Sequence, residues 1–215
     1  MNISSSNKHA PGSNLDAGLA APSRTRRTSA RTRVKNSTYL KRLPDLGGHL
    51  LRDVVNDTKS RAFCGPTAVA TIAGQPISLV RDAFRLARYG SGWIDRARAP
   101  AIAGTSGSDV AAVLRMFGFV GYWEKVKGDP TLAAFLEGRQ GKIRTHPCIV
   151  EVTGHWVAVS GWQFCDTFSK GIVVEADHAP GRRKRVKRAF VIVDRVATVD
   201  VPRKDYSRAA AESAR

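Results

Sequence analysis

In the first half of the chain, apolar positions recur at helical spacing. Within FCGPTAVATIAG, Pro66 suits a first helical turn, Ala68, Val69, Ala70 and Ile72 continue a run of small apolar residues, and Gly74 ends it. Cys64 therefore stands at a predicted helix N-terminus. Val80, Ala83, Phe84 and Ala87 mark one face of LVRDAFRLARYG, with Ser78 as its cap and Gly90 as its stop. Ser108 and Asp109 open DVAAVLRMFG, and Asp129-Pro130 opens TLAAFLEG, each closing at a glycine. Further upstream, Tyr39, Leu40, Leu43 and Leu46 lead through Gly47-Gly48 into HLLRDVV, where Leu50, Leu51, Val54 and Val55 make a short apolar face. Order is expected to begin near Tyr39.

After His146 the period changes. PCIVEVTG, HWVAV, WQFCDTF, GIVVEA and RAFVIVDRV are short β-branched and aromatic runs separated by Gly, Ser, Asp and Pro. The fold class is therefore α+β, a helical N-terminal lobe followed by an antiparallel sheet. The first 36 residues carry one acid, Asp16, and no periodic apolar pattern, so they are read as a disordered basic arm. The expected organisation is the arm at 1–36, one α+β domain at 37–200 and a C-terminal tail at 201–215.

Composition narrows the function classes. A chain of 215 residues suffices for one well-buried domain. No apolar run approaches the roughly 20 residues of a bilayer span, and MNISSSNKHAPG lacks a secretory h-region, so no membrane partner and a cytoplasmic location are expected. Three cysteines, an odd number, make no disulfide framework, and neither C-x-x-C nor H-x-x-x-H spacing points to a metal.

The most informative stretch is GHWVAVSGWQFCDTF. With Ser160-Gly161 as a two-residue hairpin loop, His155 lies directly opposite Asp166, with Cβ atoms about 4.5–5.5 Å apart. That pair fixes one tautomer of His155 and leaves its other ring nitrogen for a third group. Cys64 is the natural third group, because the positive end of a helix dipole favours a thiolate. Nucleophile, base and orienter are then Cys64, His155 and Asp166. Asp177 and His178 form an alternative pair, read as capping a connection. The backbone half of an oxyanion hole comes from the Cys64 N–H, and the nearest upstream side-chain donors are Asn56 and Lys59. Trp156, beside His155, is a candidate wall of the substrate cleft. Cys148 and Cys165 sit in strands and read as core.

FCGPTAVATIAG, followed by GHWVAV and then FCDTF, resembles the papain-like cysteine peptidase superfamily. It is nearest to small members such as the double-glycine bacteriocin-processing peptidases and papain-like proteins of tailed bacteriophages. The resemblance implies Cys64 as nucleophile, His155 as general base and acid, and Asp166 as the residue orienting the imidazole. It implies a peptide or protein substrate, hydrolysis through a thioester, and no cofactor. If the chain is phage-encoded, its location is the host cytoplasm or the virion. The family has a Gln six residues before the nucleophile, where this chain has Thr58.

Charge adds a second theme. With 35 Lys and Arg against 18 Asp and Glu, the net charge is +17. The segment GRRKRVKR concentrates Arg182, Arg183, Lys184, Arg185, Lys187 and Arg188. This run is either the solvated turn and edge of a strand or an anion-binding site for nucleic acid or another polyanion. The alternative function is accordingly a catalytically weak or inactive papain-like fold acting as a basic structural protein associated with nucleic acid, as in a phage particle.

Overall fold

Eight consecutive residues of helix α1 (Cys64–Ala73), from Gly65 to Ile72, are buried. Their small side chains make α1 apolar on every side, the pattern of a central helix. It packs against α2 (Ile77–Tyr89), α3 (Gly107–Met116) and strand β3 (His155–Ser160). The computed structural model describes residues 48–58 and 60–204. The expected basic arm, the onset of order at Tyr39, Lys59, and residues 205–215 of the expected tail lie outside the described residues.

The remaining elements are β1 (Phe119–Lys125), α4 (Leu132–Gly138), α5 (Gly141–Thr145), β2 (Cys148–Val152), β4 (Gln163–Cys165), β5 (Val174–Glu175) and β6 (Val186–Arg195). The six strands form one sheet in the order β1-β6-β2-β3-β4-β5, and every neighbouring pair is antiparallel. The architecture is α+β. One face carries Ile149, Trp156, Ala158, Phe190 and Ile192 against α1, α2 and α3. The other carries Val150, Val157, Val159, Phe164 and Val191 against Leu132, Phe135 and Leu136 of α4. Because both faces are covered, all six residues of β3 are buried, and its sequence reads as a continuous apolar run rather than an alternation.

Several local expectations are corrected. Helix α2 begins at Ile77, not after Ser78; Asp57 caps it from outside, accepting the Ser78 N–H at 2.9 Å and the Ser78 hydroxyl. Helix α3 is capped by Ser106, which forms a reciprocal capping box with Asp109, so Ser108 lies inside the helix. In HLLRDVV no helical face forms. The segment is an extended strap that bonds α1 through Arg52 N–H to Thr71 O at 2.9 Å, and Leu51 is buried while Leu50 and Val55 are exposed. The basic strand β6 is not an edge, since β1 and β2 flank it. Its charge therefore does not serve to protect a free edge.

Strand β1 falls in the half of the sequence that reads as helical. Its register with β6 shifts between Val120 and Gly121. There the two backbones approach so closely that a methyl on Gly121 would sit 2.0 Å from the Val191 carbonyl oxygen. Gly121→Ala is expected to destabilise the fold by about 1–3 kcal/mol, the usual cost of overpacking a closed site. Urea or thermal unfolding of the variant checks this.

Candidate active site

Cys64 is the first residue of α1, so its own N–H has no intrahelical acceptor. Phe63, at the cap position, offers no side-chain hydrogen bond, and the first turn holds no acid to compete for the helix end. The sequence folds tightly here because Gly65 has no Cβ, which would overlap the Thr105 hydroxyl at 2.2 Å. The 104–106 loop therefore lies directly against the first turn of α1. Trp156 anchors that loop, its indole N–H donating to Thr105 O at 3.1 Å. The Trp156 side chain is thus buried in the core beside Trp123, while its backbone N–H serves the thiol.

His155 starts β3 and is 8% exposed, and Asp166, just past the end of β4, is fully buried. Their side chains meet, with His155 Nε2 3.0 Å from Asp166 Oδ2. The hairpin register behind this contact differs from the expected one. Ser160 pairs with Gln163, so the loop is Gly161-Trp162 and each partner moves two residues along. Gly161, at φ 53°, occupies the first loop position, where primed hairpin turns favour glycine. A shift of two preserves which residues share a side of the pleat, so Asp166 stays within reach of His155 on a diagonal. The residue two further on, Phe168, stacks on the imidazole with ring centroids 4.6 Å apart.

Ser169 holds the carboxylate from the other side. Its N–H donates to Asp166 Oδ1 at 2.7 Å, and its hydroxyl accepts the Asp166 N–H at 3.1 Å. This reciprocal turn went unread in the sequence, although a polar residue three positions after an Asp is its signature. Both Asp166 oxygens are thereby engaged, and the ring nitrogen of His155 left over is Nδ1.

The electrostatics follow from these contacts. Burial pushes the Cys64 thiol up, but hydrogen bonding from the His155 ring and the Trp156 N–H, the His155 charge and the Gly65 N–H together leave it below its ordinary value of 9.0. Burial works against a charged His155. Hydrogen bonds to Asp166 and Cys64, and the charges of those two groups, nonetheless raise it to about 9. The arrangement therefore favours the imidazolium form of His155 at neutral pH and shifts Cys64 toward the thiolate. Cys148, by contrast, is pushed up to about 12 by burial, and burial also raises Cys165.

The other candidate residues lie differently. One N–H of the Asn56 amide donates to Ser60 O at 3.3 Å while the amide oxygen accepts the Thr58 hydroxyl at 2.8 Å, so the side chain is held in its own exposed turn. Asp177 is at the surface, 4.0 Å from Arg182. In the basic run, Arg182 pairs with Glu137, Lys187 with Asp129 and Arg188 with Glu151. Among the described residues no group of three His, Cys, Asp or Glu side chains converges as a metal site would, and no helix is long and apolar enough to cross a membrane.

No family model and no curated protein matches the sequence. Among solved structures, the chain is similar to a double glycine motif protease from an AMS/PCAT transporter, determined in complex with the leader peptide. The match covers 70% of this chain and 97% of that one, at 15% identity and a TM-score of 0.42. So loose an overlap transfers no residue role, and the chemistry is read from this chain's own geometry.

Alkylation tests that geometry. Iodoacetamide at pH 7 is expected to label Cys64 ahead of Cys148 and Cys165, with a midpoint in pH below 9.0. His155→Ala is expected to slow the labelling by up to about 30-fold, the gain available between a few per cent and full thiolate. Peptide mapping of the labelled sites by mass spectrometry reads both outcomes, and equal rates at the three cysteines would refute the assignment.

Proposed function

We propose that the chain is a papain-like thiol hydrolase, a cysteine peptidase or amidase. One observation carries this reading: a buried imidazole bonded at 3.0 Å to a buried carboxylate, together with a thiol at a helix start that the same imidazole holds below its ordinary value. The Cys64 thiolate attacks an amide carbonyl carbon, and the carbonyl electrons move onto oxygen. As the tetrahedral intermediate collapses, His155 gives its Nδ1 proton to the leaving amine, and a thioester remains on Cys64. His155, now neutral, takes a proton from water. The hydroxide so generated displaces the sulfur, releasing the acid and restoring the thiolate–imidazolium pair. Asp166 holds the ring in place and favours its charged form throughout.

The pH dependence has a definite sign. Attack needs the thiolate, so activity rises with pH through the lowered Cys64 value. Amine departure needs the imidazolium, so activity falls as pH passes about 9, where His155 loses its proton. Alkylation, which needs only the thiolate, is expected to plateau where hydrolysis declines. Asp166→Asn is expected to move the alkaline limb to lower pH. Rates with a fluorogenic peptide library, measured beside alkylation rates across pH 5–10, separate the two limbs.

A weak hydrolase is the second reading, favoured by the state of the upstream donors. Removing one oxyanion donor typically costs about 10²–10³ in rate. The Asn56 amide gives one of its two N–H groups to its own turn and the Thr58 hydroxyl donates within the same turn, so this reading rests on the backbone N–H at the start of α1 as the donor. Asn56→Ala is therefore expected to change hydrolysis by less than about threefold. A loss in the 10²–10³ range would instead identify Asn56 as a donor in the transition state.

A further inference from the structure

The basic turn and the imidazole are neighbours in the fold. Lys184 and Arg185 bond the Thr153-Gly154 turn that launches β3. The Lys184 ammonium donates to Thr153 O at 3.1 Å, and Arg185 O accepts the Thr153 N–H at 2.9 Å. The Lys184 ammonium also lies 5.7 Å from the centroid of the Phe168 ring, the same ring that stacks on His155 at 4.6 Å. Phe168 is 56% exposed, an apolar face beside the proposed reaction centre.

Cations flank this ring on two sides. Beyond Lys184 a concavity of about 420 Å³ is walled by Arg182 and Arg183. On the other side, Phe168 lines a pocket of about 290 Å³ together with Arg61, Lys170 and Thr67 of α1. Neither concavity is lined by an acid. The acids near the basic run are already engaged, Glu137 by Arg182, Asp129 by Lys187 and Glu151 by Arg188. Arg183 and Lys184 form no ion pair among the described residues. Apart from Asp177, 4.0 Å from Arg182, the side chains gathered around this exposed aromatic are cationic or uncharged.

We propose that this surface selects the substrate: a peptide with several Asp or Glu residues close to the bond that is cut, docked on Phe168, Lys184, Arg183 and Lys170. The inference rests on the hydrolase reading and names its substrate class. Taken in series, the two ring contacts put the ammonium no farther from the imidazole than about three extended residues, roughly 10 Å. An acidic residue within about three positions of the scissile bond reaches it. A compact cluster beside the reaction centre suits a short acidic segment better than a nucleic acid. A nucleic acid needs a longer track of free cations, and Arg182, Lys187 and Arg188 are already paired.

The test uses the full chain and two readouts. First, a Cys64→Ala protein is titrated with dye-labelled decapeptides identical except for three Glu, three Gln or three Lys, followed by anisotropy. Second, peptidyl chloromethyl ketones of the same three sequences are timed against Cys64 in the otherwise unaltered protein, with iodoacetamide as the uncharged control. The Glu peptide is expected to bind and react about tenfold better than the Gln peptide at low salt, the advantage shrinking as salt is raised. The triple variant Lys170→Gln, Arg183→Gln, Lys184→Gln is expected to lose that advantage when each chloromethyl ketone rate is divided by the same protein's iodoacetamide rate. The arm at 1–36 is common to both proteins and cancels.

Equal binding of the Glu and Gln peptides overturns the proposal, as does a preference that survives the triple variant. A duplex DNA whose binding is lost in the triple variant, where the Glu peptide shows no advantage, assigns the surface to nucleic acid and also overturns it. Slow, unselective alkylation of Cys64 would refute the hydrolase reading instead, and the anisotropy arm on Cys64→Ala distinguishes that failure from this one.

Discussion

A carboxyl group buried without partners costs several kcal/mol, and Asp166 is fully buried. Its two oxygens have one solution each: the Ser169 N–H takes Oδ1, and His155 Nε2 takes Oδ2. The turn after β4 and the ring at the start of β3 therefore require each other. Everything else at the site follows from that bond. With Nε2 committed, the other ring nitrogen is the one left for Cys64, the imidazolium is favoured, and the imidazolium in turn holds the thiol below its ordinary range. Removing either partner would leave the other as an uncompensated buried polar group, a larger loss than the bond itself.

The helix end that supplies the sulfur is held by similarly local means. Gly65 lets the 104–106 loop press on α1, and the Trp156 indole ties that loop to β3. One residue thus contributes twice, through its backbone N–H to the thiol and through its side chain to the loop. The helical lobe and the sheet meet at Cys64 because the same few atoms bridge them.

How much of this could be read from the sequence depended on whether the cause was local. The start and stop of α1 are local: the helix begins at Cys64 with Pro66 in its first turn, and Gly74 caps its end, as read. The β3–β4 contact was reached through a register two residues out. Parity survives a shift of two, so the same side of the pleat was still in view. What failed was non-local or reciprocal. The cap on α2 comes from Asp57, some twenty residues upstream, which no window around Ser78 contains. Strand β1 is interrupted by Gly121, whose reason is a close approach to Val191 on the far side of the chain. The basic run looked like six free charges because its acids, Glu137, Asp129 and Glu151, belong to other elements.

The distribution of charge around the site separates binding from chemistry. A tetrahedral intermediate places a full negative charge on one oxygen, and stabilising it takes donors fixed about 3 Å away and aimed at it. The cations of the 181–185 turn are solvated, and their field decays over a Debye length of about 8 Å at physiological salt. They can raise the local concentration of an acidic chain and orient it, but they cannot replace a directed N–H. In the proposed reaction the oxyanion falls to the backbone at the start of α1, where the Cys64 N–H lacks an intrahelical acceptor. In that reading the +17 charge of the chain bears on which peptide arrives. Under the hydrolase reading, the rate at which an amide is opened is set by a different thing, the geometry of one sulfur, one ring and one buried carboxylate.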